Sequence, residues 1–183
     1  MADRVKVPFP FVTEANVKNF FFEGASLAWA GGGEYRPMPG MPRYKVFEYS
    51  DTSGVFVLKD WYFTIPGSRQ SGGGTAIWVL GTPVWQMAFG GWYDEEAVPV
   101  VKEALLSAYA RKQFNGGRGP TKFEKNGVAY WNYSSTKETP FSFFQGHEAA
   151  YACGVSKDTR FLGSHYFWGM GFFPELSAAK TAD

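Results

Sequence analysis

The sequence predicts an α+β fold in which a curved antiparallel sheet packs with two helices. A helix followed by several strands occurs twice along the chain, over about residues 14–92 and 94–173. The 22 glycines and 11 prolines favour short strands joined by tight turns. We therefore expect a single domain over the 183 residues, built from two related halves.

An internal echo supports this division. Residues 73–81 read glycine, two residues, alanine, one residue, aromatic, two residues, glycine, and residues 146–154 repeat that pattern 73 positions later. Gly54-Val55 and Gly127-Val128 are offset by the same 73 positions. Such an echo indicates two copies of one unit around a pseudo-twofold axis, with room for a ligand cleft between them.

The first half begins with a helix. Thr13 is suited to cap it, Glu14 is favourable in its first turn, and apolar residues follow at helical spacing up to 28. The triple glycine at 31–33 ends the helix, and an irregular loop over 34–43 follows. Strands are then predicted over 44–49, 55–65, 75–80 and 83–89, with a polar, Gly-rich loop over 68–74.

The second half repeats the order. Asp94-Glu95-Glu96 places acid at a helix start, with Pro99 in the first turn, and a Gly-rich breaker follows at 115–120. Strands are predicted near 127–134, 141–145, 148–153 and 161–172. Residues 1–12 are expected to form an extended arm and 174–183 a fraying tail.

Composition narrows the class of protein. With a net charge of +1, the chain has no overall electrostatic attraction to nucleic acid, so we expect no nucleic-acid binding by this chain alone. Cys153 is the single cysteine, which excludes an internal disulfide and a cysteine zinc site. No apolar stretch is long enough to span a membrane and no signal peptide is visible, so a cytoplasmic protein is expected. No cofactor is implied.

Several segments resemble an uncharacterised bacterial domain family that often lies behind a helix-turn-helix domain in transcriptional regulators. The segments are Phe20-Phe21-Phe22-Glu23-Gly24-Ala25 leading to Trp29-Ala30-Gly31-Gly32, Phe56 to Tyr62, Gly81 to Met87, and Phe144-Gln145-Gly146-His147-Glu148. The resemblance covers most of residues 15–172. It implies an effector-binding module that stands alone here, and it implies no reaction. This chain has Thr75 where the family usually has Glu, and Ala88 where it has Asn.

His147-Glu148 is the pair that most resembles a catalytic one, since an imidazole near a carboxylate can carry out acid–base chemistry. Adjacent side chains on a strand point to opposite faces, which favours a turn-flanking histidine and a hydrogen-bonded glutamate instead. His165 could join them in a metal site, but its spacing does not require one and a core or rim histidine is favoured. We predict no metal site.

Asp60 and Tyr62 fall on one face of a predicted strand, where they could bind a ligand hydroxyl or amine. Asp60 on a solvent-facing position is the alternative. Aromatic residues make up 19% of the chain, and most of the tryptophans are expected to fill the core, with two or three left to line a cleft.

The sequence thus predicts non-catalytic binding of a small, partly apolar or planar ligand, at Asp60, Tyr62, Trp85, His147 and Glu148. An enzyme using His147, Glu148 and Asp60 stays open, and requires those side chains to converge on one cavity. A structural or self-associating protein stays open as well, and with it a homo-oligomer.

Overall fold

The computed structural model describes residues 12–134, 140–153 and 159–173. Within these ranges it has two helices and nine strands, which confirms the α+β class. In chain order they are α1 (Glu14–Leu27), β1 (Arg36–Pro37), β2 (Tyr44–Ser50), β3 (Phe56–Thr64), β4 (Gln70–Val79), β5 (Thr82–Tyr93), α2 (Val98–Ala110), β6 (Lys122–Lys125), β7 (Val128–Ser134), β8 (Phe143–Ala152) and β9 (Arg160–Gly171).

The nine strands form one antiparallel sheet in the order β1-β2-β3-β4-β5-β9-β8-β7-β6. Strands that follow one another in sequence are neighbours in the sheet on both sides of its centre. The central pairing of β5 with β9 is the exception, and it runs from Trp85 opposite Gly171 to Tyr93 opposite Gly163. The outermost strands, β1 and β6, are short and carry exposed side chains, which limits pairing with another chain.

The two helices pack against each other and against the sheet, α1 on β3 and α2 on β6 and β7. We call the helix-covered face of the sheet the inner face and the opposite one the outer face. Aromatic rings fill much of the space between the layers. Phe21 of α1 lies 5.0 Å from Trp85, which stacks on Phe141 at 5.0 Å and donates its indole N–H to the Phe141 carbonyl.

The start of α1 follows the prediction. The Thr13 hydroxyl accepts a hydrogen bond from the Asn16 amide at 3.2 Å, which satisfies one of the free N–H groups at a helix start. The start of α2 differs. Pro99 does lie in its first turn, but Asp94-Glu95-Glu96 precede the helix in a turn. Asp94 pairs there with Arg69 and Arg160, so its carboxylate neutralises guanidinium groups and not the helix end.

The prediction of a loop over 68–74 was wrong from residue 70 onward, because β4 begins at Gln70 and runs through the three glycines. These glycines pair with β3 on one side and β5 on the other. A Cβ atom on Gly73 would lie 2.1 Å from the Trp61 carbonyl oxygen, so only glycine permits this close strand approach. Gly runs read as a turn in sequence, yet here they allow tight pairing.

Other differences concern strand limits. The two strands expected at 141–145 and 148–153 are one strand, β8, which continues through Gly146. The short strands β1 and β6 were not predicted. Cys153, expected within an apolar strand, is exposed just after β8. Residues 1–11 of the expected arm and the expected tail at 174–183 lie outside the described residues. No helix in the described part of the chain is long and apolar enough to cross a membrane.

The faces of β8 give a matched test of this architecture. Phe144 is 1% exposed in the core, whereas its neighbour Phe143 is 58% exposed. Phe144→Ala should lower the free energy of unfolding by about 3–5 kcal/mol, through lost burial and the cavity left behind. Phe143→Ala should change it by only about 0.5 kcal/mol. Urea denaturation of both variants measures this, and equal losses would contradict the placement of β8.

Candidate functional site

A cavity of about 280 Å³ lies between the two helices and the inner face of the sheet. Its wall is contributed by α1 and the residues after it, by α2, and by β3, β4, β5 and β9. Thr64 and Arg69, near the turn between β3 and β4, are exposed and also line the cavity. The cavity therefore reaches solvent at that end of the sheet.

Most of the cavity wall is aromatic or aliphatic. The rings come from both layers, namely Phe21 and Trp29 from the α1 side, Tyr109 from α2, and Tyr62, Phe89 and Tyr93 from the sheet. Such a wall favours an apolar or planar ligand, and the few polar groups set into it would fix the orientation of that ligand.

Asp60 is the acidic side chain in this wall, and it is 7% exposed. Thr75 lies directly across the β3–β4 pair, and its hydroxyl donates to Asp60 Oδ1 at 2.5 Å. The Tyr35 hydroxyl donates to Oδ2. Burial, and next the charge of Asp60, raise the pKa of Tyr35 far above its ordinary value, so Tyr35 keeps its proton and acts as a donor. Burial raises the pKa of Asp60 against these two hydrogen bonds and the charge of Arg118.

Arg118 lines the cavity and forms a buried ion pair with Glu148 of β8. The two side chains are 7% and 0% exposed. Burial alone would raise the pKa of Glu148, but the charge and the hydrogen bond of Arg118 hold it below its ordinary value. The second carboxylate oxygen accepts a hydrogen bond from the Tyr130 hydroxyl at 2.5 Å.

The Gly-rich segment 115–120 positions Arg118. Asn132 donates from Nδ2 to the carbonyls of Asn115 at 2.9 Å and Gly119 at 2.8 Å. The Tyr109 hydroxyl donates to the Gly117 carbonyl at 2.9 Å. These bonds fasten the segment to β7 and α2, so the guanidinium is directed inward, where it lies 5.5 Å from the Phe89 ring centre.

His165 of β9 lies opposite Glu148 in the β8–β9 register and also lines the cavity. Burial, together with the charge of Arg118, lowers its pKa to about 4, so the ring is neutral at pH 7. Its Nε2 is 3.4 Å from the Ser71 hydroxyl, and its ring stacks on Tyr93 at 4.8 Å. Gly91 leaves space for it, since a Cβ there would lie 2.6 Å from His165 Cδ2.

Three polar atoms in the residues around the cavity complete no hydrogen bond of normal geometry with the described residues. They are Arg118 Nε, His165 Nδ1 and the Tyr93 hydroxyl, which lies close to Glu148 and to the His165 backbone. Buried polar groups are nearly always satisfied, so these groups mark the cavity as a place where a ligand or water completes the bonding.

The arrangement does not resemble a nucleophilic site. Ser71 and His165 are close, but a histidine with a pKa of about 4 is a weak base for removing a serine proton. No acidic side chain in the described part of the chain bonds its Nδ1 to orient the ring. Within the described ranges, no three His, Cys, Asp or Glu side chains are grouped to hold a metal ion.

The structure distributes the five predicted ligand-binding residues over four places. Asp60 and Tyr62 line the cavity. Glu148 lies behind the wall, as the partner of Arg118. Trp85 is fully buried in the aromatic core and does not line the cavity. His147 points to the outer face, because neighbouring residues of β8 alternate between faces. The convergence of His147, Glu148 and Asp60 that an enzyme would need is therefore absent.

His147 lies in a shallow groove on the outer face, with a volume of about 740 Å³. It stands between Tyr133, at 4.7 Å, and Tyr166, at 5.4 Å, in a stacked row across β7, β8 and β9. The row is open to solvent, since Tyr133 is 44% and Tyr166 67% exposed. Among the described residues that line this groove, none is an acid, a lysine or an arginine.

Several residues around the cavity were not predicted. Arg118 sits between glycines in a segment that reads as a turn, and Trp29 was noted only within the family resemblance. Thr75 was noted only as a departure from the family. A signal did exist for His165, because an alternating strand pattern places it on a single face with Phe167 and Gly163.

Comparison with known proteins finds no matching family model, no similar curated protein and no similar solved structure. The resemblance to the regulator-associated family therefore stays an expectation from the residues quoted above.

The buried ion pair should dominate the stability of this region. Glu148→Gln leaves the Arg118 charge without its partner, so we expect the free energy of unfolding at pH 7 to fall by about 3–5 kcal/mol. Glu103→Gln is the matched control, since its pair with Lys125 is exposed and should contribute less than about 1 kcal/mol. Chemical denaturation compares the two, and a loss for Glu148→Gln no greater than the control would contradict the assignment.

His165 should make stability depend on pH. Its folded pKa of about 4 is below the unfolded value of 6.5, so the unfolded chain takes up the proton first and stability falls as the pH is lowered between those values. From pH 7 to pH 5 this costs about 2 kcal/mol. His165→Gln should show a correspondingly smaller loss in urea denaturation at the two pH values. An identical loss in both proteins would rule this out.

Proposed function

We propose that this protein binds a small, largely apolar, planar ligand without transforming it, in the cavity between the helices and the sheet. The observation that carries this proposal is a cavity of about 280 Å³ whose aromatic wall contains buried polar atoms, Arg118 Nε and His165 Nδ1, that have no hydrogen-bond partner among the described residues. Large apolar cavities with a few convergent polar groups are the usual form of ligand sites.

The size of the cavity indicates the size of the ligand. An apolar cavity of roughly 150 Å³ accommodates benzene. A cavity of about 280 Å³ has room for a ligand of one or two rings with a short substituent. Contact with Phe89, Tyr62 and Trp29 would supply most of the binding free energy through burial of apolar surface.

Binding is favoured over catalysis for a chemical reason. The ionisable groups near the cavity are already committed, since Glu148 is paired and the neutral His165 is a weak base. Asp60 is held by two hydroxyl donors. These groups can orient a ligand, but none is free to transfer a proton near pH 7.

We also propose that the single domain arose from two related halves. β4 and β8 each span ten residues and start 73 positions apart, as the sequence echo does. The sheet order mirrors itself about the β5–β9 pair, with each helix preceding its own set of strands. The sheet part of the cavity then belongs mainly to the first half, whereas α2, Arg118 and His165 come from the second. Sheet curvature, a homo-oligomer and a cytoplasmic location stay predictions.

Filling the cavity tests the binding proposal. Ala25 lines the cavity on α1, and Ala15 is exposed on the same helix. With neutral indole as the probe, titration calorimetry should detect binding by the unmodified protein. Ala25→Leu should weaken that binding by about tenfold or more, because added methyl groups occupy the site, whereas Ala15→Leu should leave it unchanged. Indole binding that is absent, or insensitive to Ala25→Leu, would overturn the proposal.

A further inference from the structure

We propose that the ligand of this cavity is an organic cation, in which a protonated amine attached to a one- or two-ring apolar body lies against Asp60. This inference rests on the proposed binding function and names the chemical class of its ligand. It is carried by the charges around the cavity, by the unused bonding capacity of Asp60, and by the rings beside it.

The charged groups around the cavity leave one carboxyl group without an ion-pair partner among the described residues. Two guanidinium groups line the cavity, and each is already paired with an acid. Arg118 pairs with the buried Glu148, and Arg69 pairs with Asp94. Asp60 makes no ion pair with any described residue, although it is 7% exposed. An ionised carboxylate in that position is costly unless a cation joins it, and a ligand is what can supply one.

Asp60 also has bonding capacity left. An ionised carboxylate offers about four lone-pair positions, and Thr75 and Tyr35 use one on each oxygen. Both partners donate a hydroxyl hydrogen to Asp60, which favours the ionised form of its carboxyl group because that form accepts at both oxygens. Because each oxygen has a further acceptor position, a ligand that donates N–H bonds can complete the site. A ligand carboxylate, by contrast, brings no N–H donor for those positions.

The rings beside Asp60 suit a cation as well. Tyr62 lies two residues along β3 on the same face, and the ring of Tyr35 is 5.1 Å from it in an edge contact. Aromatic rings next to a carboxylate attract organic ammonium groups through their electron-rich faces. The apolar part of the same ligand then extends toward Phe89 and Trp29.

Three ligands of one shape and different charge separate this inference from the binding proposal. Tryptamine carries an ammonium, tryptophol a neutral hydroxyl and indole-3-acetate a carboxylate on the same indole ring. Calorimetry with the unmodified protein at pH 7 should give tryptamine an affinity about tenfold or more above that of tryptophol, with the acetate weakest, since charge-assisted hydrogen bonds are the stronger ones. Asp60→Asn should remove the tryptamine advantage and leave tryptophol binding within about threefold.

The outcomes are distinct. Tryptophol and indole binding as tightly as tryptamine would overturn the cation inference and leave the binding function standing. Failure of all three ligands and of indole would overturn both. Because the comparison among ligands uses the unmodified protein, it decides the question even if Asp60→Asn folds poorly. Glu124→Gln, at the exposed Lys122 pair away from the cavity, is the matched control and should leave the order of the three ligands unchanged.

Discussion

The buried pair of Arg118 and Glu148 is the interaction on which the region between the helices and the sheet depends. A charge at either position could not be held away from water without the other. The pair fixes segment 115–120 against β8, and Asn132, Tyr109 and Tyr130 complete the attachment. One part of the cavity wall is therefore a loop that an ion pair and several hydrogen bonds hold against the sheet and α2.

The same pair sets the electrostatics of its neighbours. The guanidinium disfavours a second positive charge nearby, which contributes to the low pKa of His165, and its charge acts against the rise that burial causes in the pKa of Asp60. Burial disfavours the charged form of both groups. It therefore lowers the pKa of the His165 imidazole and raises the pKa of the Asp60 carboxyl group. The polar part of the cavity wall is thus a neutral ring, a matched ion pair and one acid held by hydroxyl groups.

The elements with clear periodicity could be predicted from sequence, and so could the position of Asp60 and Tyr62 on one face of a strand. Strand parity also separates His147 from Glu148, as the structure shows. The triple glycine in β4 was misread because close strand pairing and turns use the same residue. Arg118 could not be found, since its burial depends on Glu148, which is thirty residues away in sequence. Long-range partners of this kind leave no local pattern.

The joining of the sheet at β5 and β9 has a consequence for how the chain folds during its synthesis. β1 to β5 can pair in succession as they emerge, and β6 to β9 can do the same. The edge of β5 that pairs with β9, however, has no partner until residues 163–171 have been made, because β9 is the last of the nine described strands. Until then the nascent protein carries an open strand edge and an uncovered aromatic core, which are the features that chaperones protect.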